Sequence, residues 1–154
     1  RMWFMSELRD LMEEAGFSPC HIPAMWHKVG HQGQTRNPEM RLGSVFEPFI
    51  YARKDSSGVI KQPGRTNSFS FKSLSPETKV HPTERPVEMI EEVMKTFCQP
   101  GGHVMVPFLG SGNTLLAAAN RGSTCFGFDL SEEYRNSFIS RVMAGEPGSY
   151  KSYE

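Results

Sequence analysis

Gly110, Ser111 and Gly112 follow directly on an apolar run, and Asp129 closes the next one. Two glycines around a serine let backbone approach a ligand closely, and a helix starting just after them presents N–H groups that have no intrahelical partner. Together these suit a phosphate or nucleotide. An acid at the tip of the second strand is where Rossmann-like folds grip ribose hydroxyls. The third glycine of the dinucleotide fingerprint is absent, because Leu115 fills its position, and this disfavours a dehydrogenase.

The flanking elements place these residues. Val104, Met105 and Val106 read as a strand that breaks at Pro107 and passes through Phe108 and Leu109 into the glycine turn. Asn113 or Thr114 is positioned to cap a helix carried by Leu115, Leu116 and three alanines, and Gly122 suits its left-handed end. A second strand spans Ser123 to Leu130. Ser131 then opens a helix running from Glu132 to about Met143. Upstream, Pro82 holds His81 extended and Pro86 suits a first helical turn. Thr83 is expected to cap the helix bearing Val87, Met89, Ile90, Val93, Met94 and Phe97, which ends at Pro100-Gly101-Gly102.

The run His81-Pro82-Thr83-Glu84-Arg85-Pro86, the run Pro107-Phe108-Leu109-Gly110-Ser111-Gly112-Asn113-Thr114, then Gly127-Phe128-Asp129 and Glu133-Tyr134, resemble in their order the amino-methyltransferases of DNA. These enzymes methylate adenine N6 or cytosine N4 with S-adenosylmethionine. The branch resembled has its target-amine half before its cofactor half. The resemblance implies an α/β fold, a Rossmann-like methyltransferase sheet with helices on both faces, here lacking its N-terminal strands. It also implies that Phe108, Gly110, Ser111, Gly112 and Thr114 wrap the cofactor, that Asp129 holds its ribose, and that His81, Pro82 and Thr83 lie against its methionine end.

The first part of the chain is read with more difficulty. Trp3, Phe4, Leu8, Leu11, Met12 and Ala15 lie at helical spacing and Gly16 ends that helix. Cys20 to Trp26 reads as a strand made awkward by Pro23, and Ser44 to Arg53 as a strand interrupted by Pro48. Gly16-Phe17 and Trp26-His27-Lys28 match the family's order at these points. Val29 to Leu42 and Lys54 to Val80 read as loops, the second with only the Phe69-Ser70-Phe71 alternation inside it. Cys20, His21, His27 and His31 match no established ligand set, so no metal is assigned.

The formal net charge is zero over 154 residues, which argues against a generally basic nucleic-acid binder. Charge is nevertheless unevenly spread. From Lys28 to Lys79 there are nine basic residues against Glu39, Glu47, Asp55 and Glu77. Phosphate contacts favour such clustering, and the family's target-recognition insert falls within 29–80. Lys28, Arg36 and Arg41 are therefore expected to contact double-stranded DNA. A solvated basic loop is the plainer alternative. Three cysteines without paired spacing fit a reducing compartment, and no apolar run is long enough for a membrane helix. A soluble, cytoplasmic, single-domain protein is expected.

Two family features are missing. Val106 stands where the family usually has an Asp that holds the cofactor's amino group. The tetrad Asp/Asn/Ser-Pro-Pro-aromatic, which accepts the target amine's hydrogens and stacks on the flipped base, is also absent. The nearest strings, Asn37-Pro38-Glu39, Glu47-Pro48-Phe49 and Ser75-Pro76-Glu77, do not qualify. Arg1 is not an initiating methionine, and in this branch the tetrad would precede it. The resemblance implies that its strand lies between the strands around Val104 and Met25. The expectation is a site-specific DNA methyltransferase of a restriction-modification type whose catalytic residues are unknown here. A preceding segment, a second chain or a homodimer would complete it. A catalytically incomplete cofactor- or DNA-binding remnant is the alternative.

Overall fold

A computed structural model describes residues 4–30, 37–55, 58–146 and 148–152. The chain divides into two compact units, one up to Phe71 and one from Lys72 onward.

The first unit opens with α1 (Met5–Glu14). It ends where Gly16 takes φ +79°, with the Phe17 N–H donating to Met12 O and the Gly16 N–H to Glu13 O. This is the left-handed termination that Gly16 predicts. The expected strand from Cys20 to Trp26 is two strands, β1 (Ser18–Pro19) and β2 (Ala24–Val29). Pro23, which has no N–H to give a ladder, lies in the break. The expected strand from Ser44 to Arg53 likewise divides into β3 (Phe46–Phe49) and β4 (Ala52–Arg53). β3 pairs antiparallel with β2, and β4 pairs antiparallel with β1. The chain thus changes sheets after Phe49. Pro48 is tolerated because β3 is an edge strand of the order β3-β2-β5.

β5 (Ser68–Lys72) corrects the reading of Lys54 to Val80 as loop throughout. Its alternation buries Phe69 (1% exposed) while Ser68 and Ser70 face solvent. Phe69 packs on Phe49, and Ala24 and Trp26 of β2 are buried as well. The Trp26 indole N–H donates to Phe71 O at 3.0 Å, so its polar edge is satisfied inside the core.

The second unit has the order α2 (Val87–Phe97), β6 (His103–Val106), α3 (Asn113–Asn120), β7 (Thr124–Gly127) and α4 (Glu132–Ala144). β6 and β7 are parallel, with His103 opposite Thr124 and Val106 opposite Gly127. Pairing continues past both strands, since the Phe128 N–H donates to Val106 O and the Leu109 N–H to Phe128 O. The β6–α3–β7 crossover is the expected Rossmann-like unit.

Its core gathers Val87 and Met94 of α2 with Leu116, Ala117 and Ala118 of α3. Alanine side chains let the two helices approach closely. Val104, Cys125, Phe138 and Val142 pack against this cluster. Burial pushes the thiols of the half-buried Cys98 and Cys125 up. Strand alternation turns Met105 and Phe126 the other way, where they are 70% and 57% exposed. Among the described residues of this unit, the three helices thus pack on one face of the β6–β7 pair.

Two helix starts differ from expectation. α2 begins after Pro86, and Thr83 does not cap it. The Val87 N–H is instead taken by Ser152 Oγ at 2.7 Å, and Ser152 also bonds Glu88 through its own N–H and hydroxyl. The residue before α3 is Gly112, in the left-handed region, rather than Asn113 or Thr114. Two other ends agree with expectation. Gly122 (φ +62°) closes α3, with the Ser123 N–H on Ala118 O, and Ser131 Oγ caps α4 by accepting from the Tyr134 N–H. No described helix is long and apolar enough to cross a membrane.

Candidate cofactor site

Gly110 and Gly112 both take positive φ, +58° and +81°, so the turn between β6 and α3 needs them. Gly112 has a second reason to be glycine. A Cβ there would lie 2.3 Å from the Phe138 ring. At Gly110 the face left open by the absent Cβ looks onto the His81 ring at 3.5 Å.

Asp129 sits at the end of β7 and reaches back to this turn. Its Oδ2 accepts from the Gly110 N–H at 2.7 Å and its Oδ1 from the Ser131 N–H at 2.9 Å. The Ser131 amide, then the Gly110 amide and the nearby His81, hold its carboxyl below the usual value of 3.8. Each oxygen keeps a second lone pair, and the carboxylate is open to solvent, so it remains able to accept from a ligand hydroxyl.

The turn before α2 closes the site on the other side. His81 Nδ1 accepts from the Thr83 N–H at 3.2 Å and lies 3.1 Å from Thr83 Oγ1. The His81 ring meets Tyr134 of α4 edge-on, with centroids 4.6 Å apart. Thr83, expected as a helix cap, thus orients a histidine instead.

Two contiguous cavities result. The smaller, about 230 Å³, is the more polar of the two: His81, Thr83, Glu84, Ser111, Asn113 and Thr114 line it, along with the apolar Ile90 and Phe108. The larger, about 790 Å³, is walled by Leu109, Leu115, Phe128, Leu130, Phe138 and Ile139. Phe108, Leu109, Gly110 and Asp129 line both. Of the expected cofactor residues, His81, Thr83, Phe108, Gly110, Ser111, Thr114 and Asp129 are brought together at these cavities. Pro82 and Gly112 shape the turns and line neither.

Two residues to which the sequence assigns no site role, Glu84 and Arg141, join the turns together with Asn113. Glu84 is buried, and its Oε1 accepts from Asn113 Nδ2 at 2.9 Å and from Arg141 Nη1 at 3.3 Å. Asn113 Nδ2 also donates to Arg85 O, and Arg141 Nη1 to Ser111 O. Local sequence carries little sign of this set, since Glu84 and Arg141 are 57 residues apart. A charged residue between two prolines, three positions after His81, was its one visible trace.

Of the expected DNA contacts, Arg41 is exposed on a turn whose amide bonds Asn37 O. Lys28 pairs with Glu47 at 3.3 Å and lies 4.8 Å from the centre of the Trp26 ring, so its charge already has local partners. Arg36 lies outside the described residues.

The profile of the DNA methylase family, the N6/N4 class, matches residues 22–140. Among curated proteins, the chain is 28% identical over 151 residues to the type II methyltransferase M.BglII of Bacillus subtilis, covering 89% of this chain and 40% of that protein. It is 36% identical over 143 residues to the type II methyltransferase M.ScaI of Streptomyces caespitosus, covering 83% and 45%. The chain therefore spans under half the length of these relatives. Among solved structures, the M1.HpyAVI–SAM complex superposes with TM-score 0.78 at 27% identity, over 90% of this chain and 69% of that one. The cytosine-N4-specific PvuII DNA methyltransferase shares the fold at TM-score 0.74 and 17% identity, over 92% and 57%. With the glycine turn, the strand-end acid and the His81 turn assembled around one cleft, and with the family profile covering most of its length, this chain belongs to the DNA methylase family.

Proposed function

We propose that this chain is the S-adenosylmethionine-binding part of a DNA amino-methyltransferase, acting in the cytoplasm on adenine N6 or cytosine N4 of double-stranded DNA. The observation that carries the reading is Asp129, latched to the Gly110 amide at the junction of a mixed, more polar cavity and an apolar one. A carboxylate so placed suits ribose hydroxyls, with a purine on the apolar side and an amino-acid tail on the polar side. The residues present therefore fit the group. Bound there, the cofactor would supply an electrophilic methyl on a sulfonium. The chain's own residues bind and orient it: Asp129 the ribose, Phe108 and the apolar wall the base, and the Thr83 and Ser111 turns the tail.

Methylating an amine needs acceptors for its hydrogens. No Pro-Pro pair occurs in the sequence. We assign the amine-accepting tetrad to sequence outside these 154 residues, supplied by a preceding segment or by a second chain, which could be another copy in a homodimer. The exposed Met105 and Phe126 support this, as an apolar strand face suited to being covered. Arg36 and Arg41 are proposed phosphate contacts, and Lys28 is a weaker candidate because of Glu47.

Calorimetry tests the cofactor reading. S-adenosylmethionine should bind the chain, and Asp129→Ala should weaken it by one to two orders of magnitude, roughly the effect of losing hydrogen bonds to a charged group. Preferential binding of a nicotinamide dinucleotide, or affinity indifferent to Asp129, would remove the assignment.

A further inference from the structure

We propose that Glu84 is a positioning residue for the amino-acid end of the cofactor, an inference that rests on the S-adenosylmethionine reading above. The Glu84 side chain borders the smaller cavity but is only 1% exposed, so it offers a ligand almost no surface of its own. What it does is join the two turns that make the polar cavity. Oε2 accepts from the Val80 N–H at 2.8 Å and, at 3.4 Å, from the His81 N–H, which holds the start of the His81–Thr83 turn. Oε1 accepts from Asn113, the first residue of α3, and from Arg141 of α4. Arg141 in turn donates to Ser111 O inside the glycine turn.

The set is chemically one-sided. Val80 and His81 offer backbone N–H groups, Asn113 an amide N–H, and Arg141 a guanidinium N–H. All of these are donors, so the group at position 84 must accept at both ends. A carboxylate does so. A glutamine of the same shape would turn an NH₂ toward either the Val80 amide or the Asn113–Arg141 pair, setting donor against donor inside a buried site. The Asn113 amide cannot rotate to compensate, since its Nδ2 also donates to Arg85 O at 2.7 Å. Buried ion pairs contribute little net stability, and their best-attested use is to fix one arrangement among several. Here the arrangement fixed is the width and register of the polar cavity. The apolar cavity, on the far side of Asp129, contains none of these partners except through the shared glycine turn.

The division between cavities makes the role separable from general stability. S-adenosylmethionine and 5′-methylthioadenosine share an adenosine moiety, but only the first carries the amino-acid end. With the full chain, calorimetry on wild type, Glu84→Gln and Glu84→Asp should give three results. Wild type binds S-adenosylmethionine more tightly than methylthioadenosine. Glu84→Gln loses that advantage, roughly tenfold or more as for a hydrogen bond to a charged group, while methylthioadenosine affinity stays within about twofold of wild type, as for an undisturbed adenosine site. Glu84→Asp, which keeps two accepting oxygens, recovers part of the loss. If Glu84→Gln does not fold, the aspartate variant carries the test alone, with a smaller loss confined to the tail. Parallel weakening of both ligands would reduce Glu84 to a structural residue, and no change in either would dismiss it. If wild type binds neither ligand, the cofactor reading fails and takes this role with it. If it binds both equally, the adenosine site stands and the positioning role falls.

Discussion

The Asp129 carboxylate and the Gly110 amide, 19 residues apart, meet at 2.7 Å and tie the end of β7 to the glycine turn after β6. The carboxyl is held below 3.8 by the amides that donate to it. A depressed carboxyl stabilises the fold above its unfolded pKa, and that contribution is lost as pH falls through the lower folded value. An NMR titration should give Asp129 a midpoint below 3.8. In Asp129→Asn this step should vanish from the acid unfolding curve. A midpoint at or above 3.8 would contradict the latch.

Gly112 and Gly122 both sit at positive φ but should respond differently to alanine. Gly122 has nothing within 4 Å of a built Cβ, so Gly122→Ala should cost only the backbone strain, about 1 kcal/mol. At Gly112 an added Cβ would lie 2.3 Å from the Phe138 ring, so overpacking adds to the backbone cost and Gly112→Ala should lose roughly 3 kcal/mol. Denaturant melts of the two variants check the order.

If the region around Arg41 meets DNA, Arg41→Gln should weaken binding uniformly across sequences. It should also flatten the salt dependence by about 0.9 for each phosphate that is no longer neutralised. Lys28→Gln should flatten it less, because Glu47 already pairs with Lys28. Equal slopes for wild type and Arg41→Gln would return this region to a solvated basic surface.

Met105 and Phe126 predict a difference between this chain alone and the chain joined to tetrad-bearing sequence. Replacing either with Glu should leave the chain's melting nearly unchanged, since both already face solvent. In a protein that also carries the tetrad, each replacement should cost roughly 2 kcal/mol of apolar burial. The chain alone should transfer no methyl group, and adding the tetrad-bearing sequence should restore transfer. Activity from the chain alone would refute the assignment of the tetrad elsewhere.

Features carried by neighbouring residues were legible in the sequence. The glycine turn, the Gly16 and Gly122 terminations, the Ser131 cap and the acid ending the second strand each depend on a few adjacent positions. Thr83 and Asn113 misled as caps because their hydrogen bonds are decided by His81, Glu84 and Arg85, through folds of the chain that spacing does not encode. β5 was hidden because a single Phe-Ser-Phe alternation is a short signal, and Phe69 gains its meaning only when β2 and Phe49 lie beside it. Glu84 and Arg141 could not be paired in advance, as nothing local marks a partner on a distant helix.

Ser152 supplies the hydroxyl that caps α2, from 65 residues further along the chain. Nearby, Asn120 of α3 holds the Tyr150 backbone through both its amide groups. During synthesis, therefore, α2 emerges with its first amide bonded to water and can exchange it for the Ser152 hydroxyl only once that residue has been made. The contact joins the earliest helix of the unit to its latest described segment, a loop closure of the kind that slows folding. Docking of Tyr150–Ser152 on α2 and α3 is thus expected to lag behind formation of the β6–α3–β7 crossover, whose contacts lie closer together along the chain.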